Sequence, residues 1–125
     1  MVLIDTSAWI EALRKKGDVN VRADVDRFLR NGKARLTEPV LVELFHGANG
    51  SSELEFLKDL KESIPILPCN SSCYEMAIQI AQLSRKKGIT VSSMDLLIFS
   101  VAKIYKAEII SKDRHFSLLE SLKLK

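Results

Sequence analysis

Long apolar runs are missing from this chain of 125 residues. None of its apolar stretches approaches the roughly 20 residues that a membrane-spanning helix needs. Nor do its first residues show the basic-then-apolar order of a secretory leader, so the expectation is a cytoplasmic protein with no membrane partner. Cysteine is scarce: only Cys69 and Cys73 are present. A structural zinc would need two further ligands, and the nearest histidine in sequence is His46. A reducing cytosol disfavours a disulfide, so the pair reads as two free thiols in an exposed-looking stretch, Pro68 to Ser72. With five glycines and three prolines, the chain shows no low-complexity tract, domain linker or glycine-rich phosphate loop.

What is present is ordinary for a folded globular domain. Hydrophobic residues make up 46% and charged residues 28%, which argues against disorder. The length fits one domain over residues 1–125 with a single core. A net charge of +3 is compatible with a nucleic-acid partner without establishing one.

Short apolar runs alternate with segments of helical period. Val2 to Asp5 reads as a strand, and Ser7 to Lys16 as a helix stopped by Gly17. Val21, Val25, Phe28 and Leu29 line one helix face before Gly32. Ala34 to Thr37 is a short strand, and Pro39 opens a helix to His46. Ser52 with Glu55, and Ser72 with Glu75, read as capping boxes for two more helices. Between them Ile64 to Leu67, interrupted by Pro65, reads as an edge strand. Ser92 or Ser93 caps the next helix, with Met94, Leu97, Ile98, Val101 and Tyr105 on its face. Glu108 to Ser111 reads as a strand, Phe116 to Glu120 as a turn or helix, and Leu122 to Leu124 as a last strand. This order predicts an α/β fold: one central, mostly parallel sheet with helices on both faces. Ligands of such sheets bind beyond the carboxyl ends of the strands.

Four acids fall at informative places. Asp5 follows Val2-Leu3-Ile4, and Asp113 follows the run Ile109 to Lys112. Asp95 opens the apolar segment Leu96 to Ala102. Glu43 lies among Val40, Leu41, Val42 and Leu44, where a carboxylate needs a reason. Converging carboxylates suit Mg²⁺ or Mn²⁺. In a chain of net positive charge they point to a metal-dependent enzyme acting on a polyanion. The plainer reading stays open for Asp5 and Asp95, which helix N-termini stabilise anyway, and Asp113 could be a loop residue.

The same residues carry a family resemblance. Leu3-Ile4-Asp5-Thr6-Ser7 resembles the opening of PIN domains, and Pro39 to Leu44 resembles their second motif, a glutamate in the helix after strand two. Gly88-Ile89-Thr90 followed by Asp95 to Ile98 resembles the third, and Ile110 to Phe116 the fourth. A free-standing PIN domain of this size is similar to the VapC-type toxins of prokaryotic toxin–antitoxin pairs. The resemblance implies an endoribonuclease dependent on Mg²⁺ or Mn²⁺, usually a homodimer, held inactive by a cognate antitoxin. On that pattern Asp5, Asp95 and Asp113 bind metal, and Glu43 binds metal or orients water. By position and chemistry alone, Thr6 and Ser111 are candidates to hold carboxylates in place, and Lys112 and Arg114, which flank Asp113, are candidates to contact the phosphates of an RNA substrate. Many relatives carry an acid or amide two places beyond the fourth aspartate. Here that place is His115, which counts against a second metal ion.

Other readings remain open at this point: a nuclease acting on DNA or in RNA processing, and a PIN-like binding module without catalysis. A metal-free mechanism could instead pair His46 with His115, the only two histidines. Asp5-Thr6-Ser7 lacks the D-x-D of haloacid-dehalogenase-like phosphatases. The runs Arg14 to Lys16 and Arg85 to Lys87 read as helix C-termini favoured by the dipole. Trp9 reads as either core or interface.

Overall fold

The computed structural model describes residues 1–122. Its three strands are β1 (Val2–Ile4), β2 (Ala34–Arg35) and β3 (Glu108–Ile110), in the order β2-β1-β3 and all parallel. Val2 stands beside both Ala34 and Glu108, and Ile4 beside Ile110. All three residues of β1 are buried. Side chains alternate between faces along a strand, so both faces of the sheet are covered by helices. Full burial of an aliphatic side chain such as Leu3 or Ile4 contributes about 1.5–3 kcal/mol. That explains how so short a strand can anchor the domain.

Seven helices occur among the described residues. They are α1 (Thr6–Leu13), α2 (Val19–Arg30), α3 (Glu38–His46), α4 (Gly50–Ser63), α5 (Ser71–Lys86), α6 (Ser93–Tyr105) and α7 (His115–Glu120). Two helices cross from β1 to β2 and four from β2 to β3, as parallel pairing requires. Leu3, Ile4, Trp9, Leu36, Ile80, Ile98 and Phe99 are among the fully buried side chains. Trp9 therefore belongs to the core, although its Nε1 has no hydrogen-bond partner among the described residues.

Several boundaries differ from the sequence expectation. Helix α1 ends at Leu13, so Arg14 to Lys16 form the turn after it and not its last turn. The backbone leaves the helix at Arg14, which is extended (φ −78°, ψ 142°), and the chain then passes close to the helix at Gly17, where an added Cβ would meet the Glu11 carbonyl oxygen at 1.9 Å. Asn49, not Ser52, is the N-cap of α4, and its backbone N–H donates to Glu53 Oε2 at 2.6 Å. Asn70, not Ser72, caps α5 by accepting from the Cys73 N–H. Ser92 caps α6 as expected, accepting from the Asp95 N–H at 3.1 Å.

The edge strand around Pro65 is reduced to a single parallel bridge, Leu36 to Ile66. The last strand expected at Leu122 to Leu124 falls on residues 123 and 124, outside those described, and Leu122 itself lies in a bend. The stretch Pro68 to Ser72 is exposed, as expected, apart from the partly buried Cys69. Cys73 is buried, and burial with the neighbouring Cys73 thiol pushes the partly buried Cys69 up to about 11. No described helix is long and apolar enough to cross a membrane.

Candidate active site

Strands β1 and β3 run in parallel, so their carboxyl ends lie side by side. The Asp5 N–H extends the pairing by one residue, donating to the Ile110 carbonyl at 2.9 Å. Asp5 thus ends β1 and is also the N-cap of α1. Its side chain is almost wholly buried, at 3% exposure. Three donors reach Oδ2: the Ser7 N–H at 3.3 Å, the Ser7 hydroxyl at 2.8 Å and the Ser111 hydroxyl at 3.0 Å. Burial raises the pKa of Asp5, and the bonds from Ser7 and Ser111 oppose that rise by stabilising the anion.

The same two hydroxyls shape the loop after β3. Ser111 Oγ accepts the Asp113 N–H at 2.8 Å, and Ser7 Oγ accepts the Lys112 N–H at 3.0 Å. Asp113 then caps the turn into α7, its Oδ1 accepting from the His115 N–H at 3.0 Å. Its other oxygen, Oδ2, lies 3.1 Å from His115 Nδ1. Asp95, in the first turn of α6, brings its own Oδ2 to 3.0 Å from the same nitrogen. One donor atom from each of Asp95, Asp113 and His115 lies within 4.8 Å of the others. The hydrogen bond to Asp95, with the charges of Asp113 and Asp5 nearby, holds His115 above its ordinary pKa.

Glu43 approaches from α3. Its Oε1 accepts the Thr6 hydroxyl at 2.7 Å, which ties it to the residue directly after Asp5. Neither Glu43 nor Asp5 belongs to the tight three-residue group. The four expected acids therefore form two pairs around one sheet edge: Asp95 with Asp113, bridged by His115, and Asp5 with Glu43, linked through Thr6.

The two expected phosphate-binding cations differ. Lys112 extends its ammonium to Asp18 Oδ2 at 3.1 Å and Glu11 Oε1 at 3.5 Å. The bond to Asp18 raises its pKa, and its charge is engaged in fastening the loop between α1 and α2. Arg114 is exposed and in no ion pair among the described residues.

Sequence reading missed Ser7 as a carboxylate donor and Glu11 and Asp18 as partners of Lys112. It treated His115 as a departure from an acidic pattern, whereas the imidazole sits against both carboxylates. Ser7 stands within the Asp5-Thr6-Ser7 motif, but no local signal marks the others. His46 lies exposed in the last turn of α3.

Two carboxylates and an imidazole converging on one point make a donor set suited to a divalent cation. A PIN-domain family model matches residues 2–121. Ribonuclease VapC11 of Mycobacterium tuberculosis is 32% identical over 123 residues, covering 95% of this chain and 91% of that protein. The DNA-bound VapBC structure from Salmonella typhimurium superposes with a TM-score of 0.81 at 20% identity, covering 99% of this chain and 96% of that one. A toxin–antitoxin complex from Klebsiella pneumoniae gives 0.73 at 14% identity, covering 91% and 88%.

Proposed function

The chain belongs to the PIN-domain family, and on that footing we propose that it is a metal-dependent endoribonuclease, the toxin of a type II toxin–antitoxin pair. The observation that carries the reading is the Asp95–Asp113–His115 donor group at the sheet edge where Asp5 is held. The substrate class follows from the ribonuclease to which the chain is 32% identical along nearly its whole length.

Asp95 and Asp113 would hold Mg²⁺ or Mn²⁺, with Asp5 as a further ligand directly or through water. When bound, the cation lowers the pKa of an attacking water and offsets charge on the phosphate. The chain's own residues do the rest. Ser7 and Ser111 aim the Asp5 carboxylate and favour its anionic form against the effect of burial. Thr6 fixes Glu43, leaving that carboxylate to orient a water and take its proton. Arg114, exposed beside Asp113, contacts the RNA backbone. Lys112 acts less on substrate than on shape, since Asp18 and Glu11 already engage it.

The partner is a cognate antitoxin. A groove of about 740 Å³ runs between α1, α3 and α4, lined by Ile10, Leu13, Leu44 and Phe56 with Glu43 at its edge. An antitoxin segment seated there would lie next to the acidic cluster and could bring an arginine onto the carboxylates. A cytoplasmic homodimer completes the reading.

The test is cleavage of matched RNA and DNA oligonucleotides with the product ends mapped. The proposal expects cleavage of RNA that leaves 5′-phosphate and 3′-hydroxyl ends. Products ending in 2′,3′-cyclic phosphate would overturn it, because they arise from attack by the ribose 2′-hydroxyl.

A further inference from the structure

We infer that His115 is itself a metal ligand and that its imidazole makes this centre select Mn²⁺ over Mg²⁺. The inference rests on reading the Asp95–Asp113–His115 group as the metal centre, and it concerns the third member of that group.

The geometry singles out one nitrogen. His115 Nδ1 lies 3.0 Å from Asp95 Oδ2 and 3.1 Å from Asp113 Oδ2. It therefore addresses the same small space as the two carboxylate oxygens, and all three donor atoms fall within 4.8 Å of one another. The ring is also positioned in advance. Asp113 holds the His115 backbone through Oδ1 at 3.0 Å, and the Asp113 N–H is held in turn by Ser111 at 2.8 Å. Little further ordering is needed to bring the nitrogen to a cation.

The chemistry of the donor set then decides the ion. Two carboxylates and one neutral imidazole carry a formal charge of minus two, with a softer third ligand in place of another oxygen. Mg²⁺ is hard, dehydrates reluctantly and prefers oxygen throughout. Mn²⁺ begins the first-row series whose affinity for nitrogen and oxygen sites rises toward Fe²⁺ and Co²⁺, so replacing one oxygen by an imidazole costs it less than it costs Mg²⁺. An acid or amide at position 115 would keep the ligands all oxygen and remove this bias.

The test uses tag-free, EDTA-dialysed protein loaded with Mn²⁺ and examined by pulsed electron paramagnetic resonance. Wild type is expected to show a directly bound ¹⁴N hyperfine coupling. His115→Gln should lose that coupling, and His46→Gln should keep it; these are the only two histidines in the chain. In competition titrations His115→Asp should lose much of the preference for Mn²⁺ over Mg²⁺. Bound Mn²⁺ without a nitrogen coupling would overturn this inference while leaving the metal centre in place. Failure of wild type to bind Mn²⁺ at all would overturn both. The His115 side chain is 44% exposed, so its replacement leaves the core intact, and circular dichroism checks this.

Discussion

The Ser111 hydroxyl reaches Asp5 Oδ2 at 3.0 Å, joining residues 106 positions apart in the chain. It also accepts the Asp113 N–H at 2.8 Å, so one small side chain sets both the Asp5 carboxylate and the turn that carries Asp113. Removing it should disturb two proposed ligands together. Ser111→Ala is expected to reduce RNA cleavage by about 10–100-fold, the usual cost of losing a residue that orients metal ligands. The fold should persist, because Ser7 still donates to Asp5. Loss of the Ser111 bond also removes one influence that lowers the Asp5 pKa. The acid limb of the pH–rate profile should therefore move to higher pH. An unchanged rate and an unchanged acid limb would contradict this role.

Lys112 and Arg114 are neighbours in sequence but should behave differently. Salt dependence of RNA binding, measured in the cleavage-blocked Asp95→Asn background, separates them. Arg114→Ala should flatten the slope of log affinity against log salt by about 0.7, the loss of one phosphate contact to a single strand. Lys112→Ala should change the slope less and lower the melting temperature slightly, since its ammonium is engaged by Asp18 and Glu11. Equal loss of slope in both variants would restore Lys112 to the substrate surface.

Much of the site was legible in the sequence because its acids stand at element ends. Asp5 follows an apolar run that becomes β1, and Asp95 follows a serine that does cap α6. Glu43 was conspicuous among apolar neighbours, and the structure supplies its partner, Thr6. Contacts between distant segments were not legible. Nothing near Lys112 announces Asp18, 94 positions away, and nothing near Asp95 announces the His115 ring. The caps of α4 and α5 were misplaced by two or three residues because asparagine and serine cap almost equally well. Local pattern therefore offered two registers, and packing chose between them.

Gly17 allows a close crossing of backbone. A Cβ there would lie 1.9 Å from the Glu11 carbonyl oxygen, a contact that only a backbone shift could relieve. The neighbouring Asp18 N–H donates to Glu11 Oε2 at 3.0 Å, so any shift also strains that bond. Gly17→Ala should destabilise the protein by about 1–3 kcal/mol, the range for overpacking, read as a lower urea midpoint. Wild-type stability in the variant would show that the loop has room to relax.

The metal-free protein should show a pH-dependent contribution from His115. Its folded pKa is raised, chiefly by the bond to Asp95. A raised value means that the protonated form is favoured by folding. The contribution is complete below the ordinary value of 6.5 and is lost as pH climbs through the folded value. In EDTA, the melting temperature of wild type relative to His115→Gln should therefore be higher in mild acid, with the difference fading in mild alkali. A difference that grows with rising pH would have the wrong sign for this arrangement.

The most direct test of the central claim is cleavage of total RNA by the purified chain in Mn²⁺, in Mg²⁺ and in EDTA, with Asp95→Asn run alongside. The account predicts defined cuts that require a divalent cation and disappear in Asp95→Asn while its fold, followed by circular dichroism, is kept. Cleavage that persists in EDTA, or that survives loss of the Asp95 carboxylate, would contradict it.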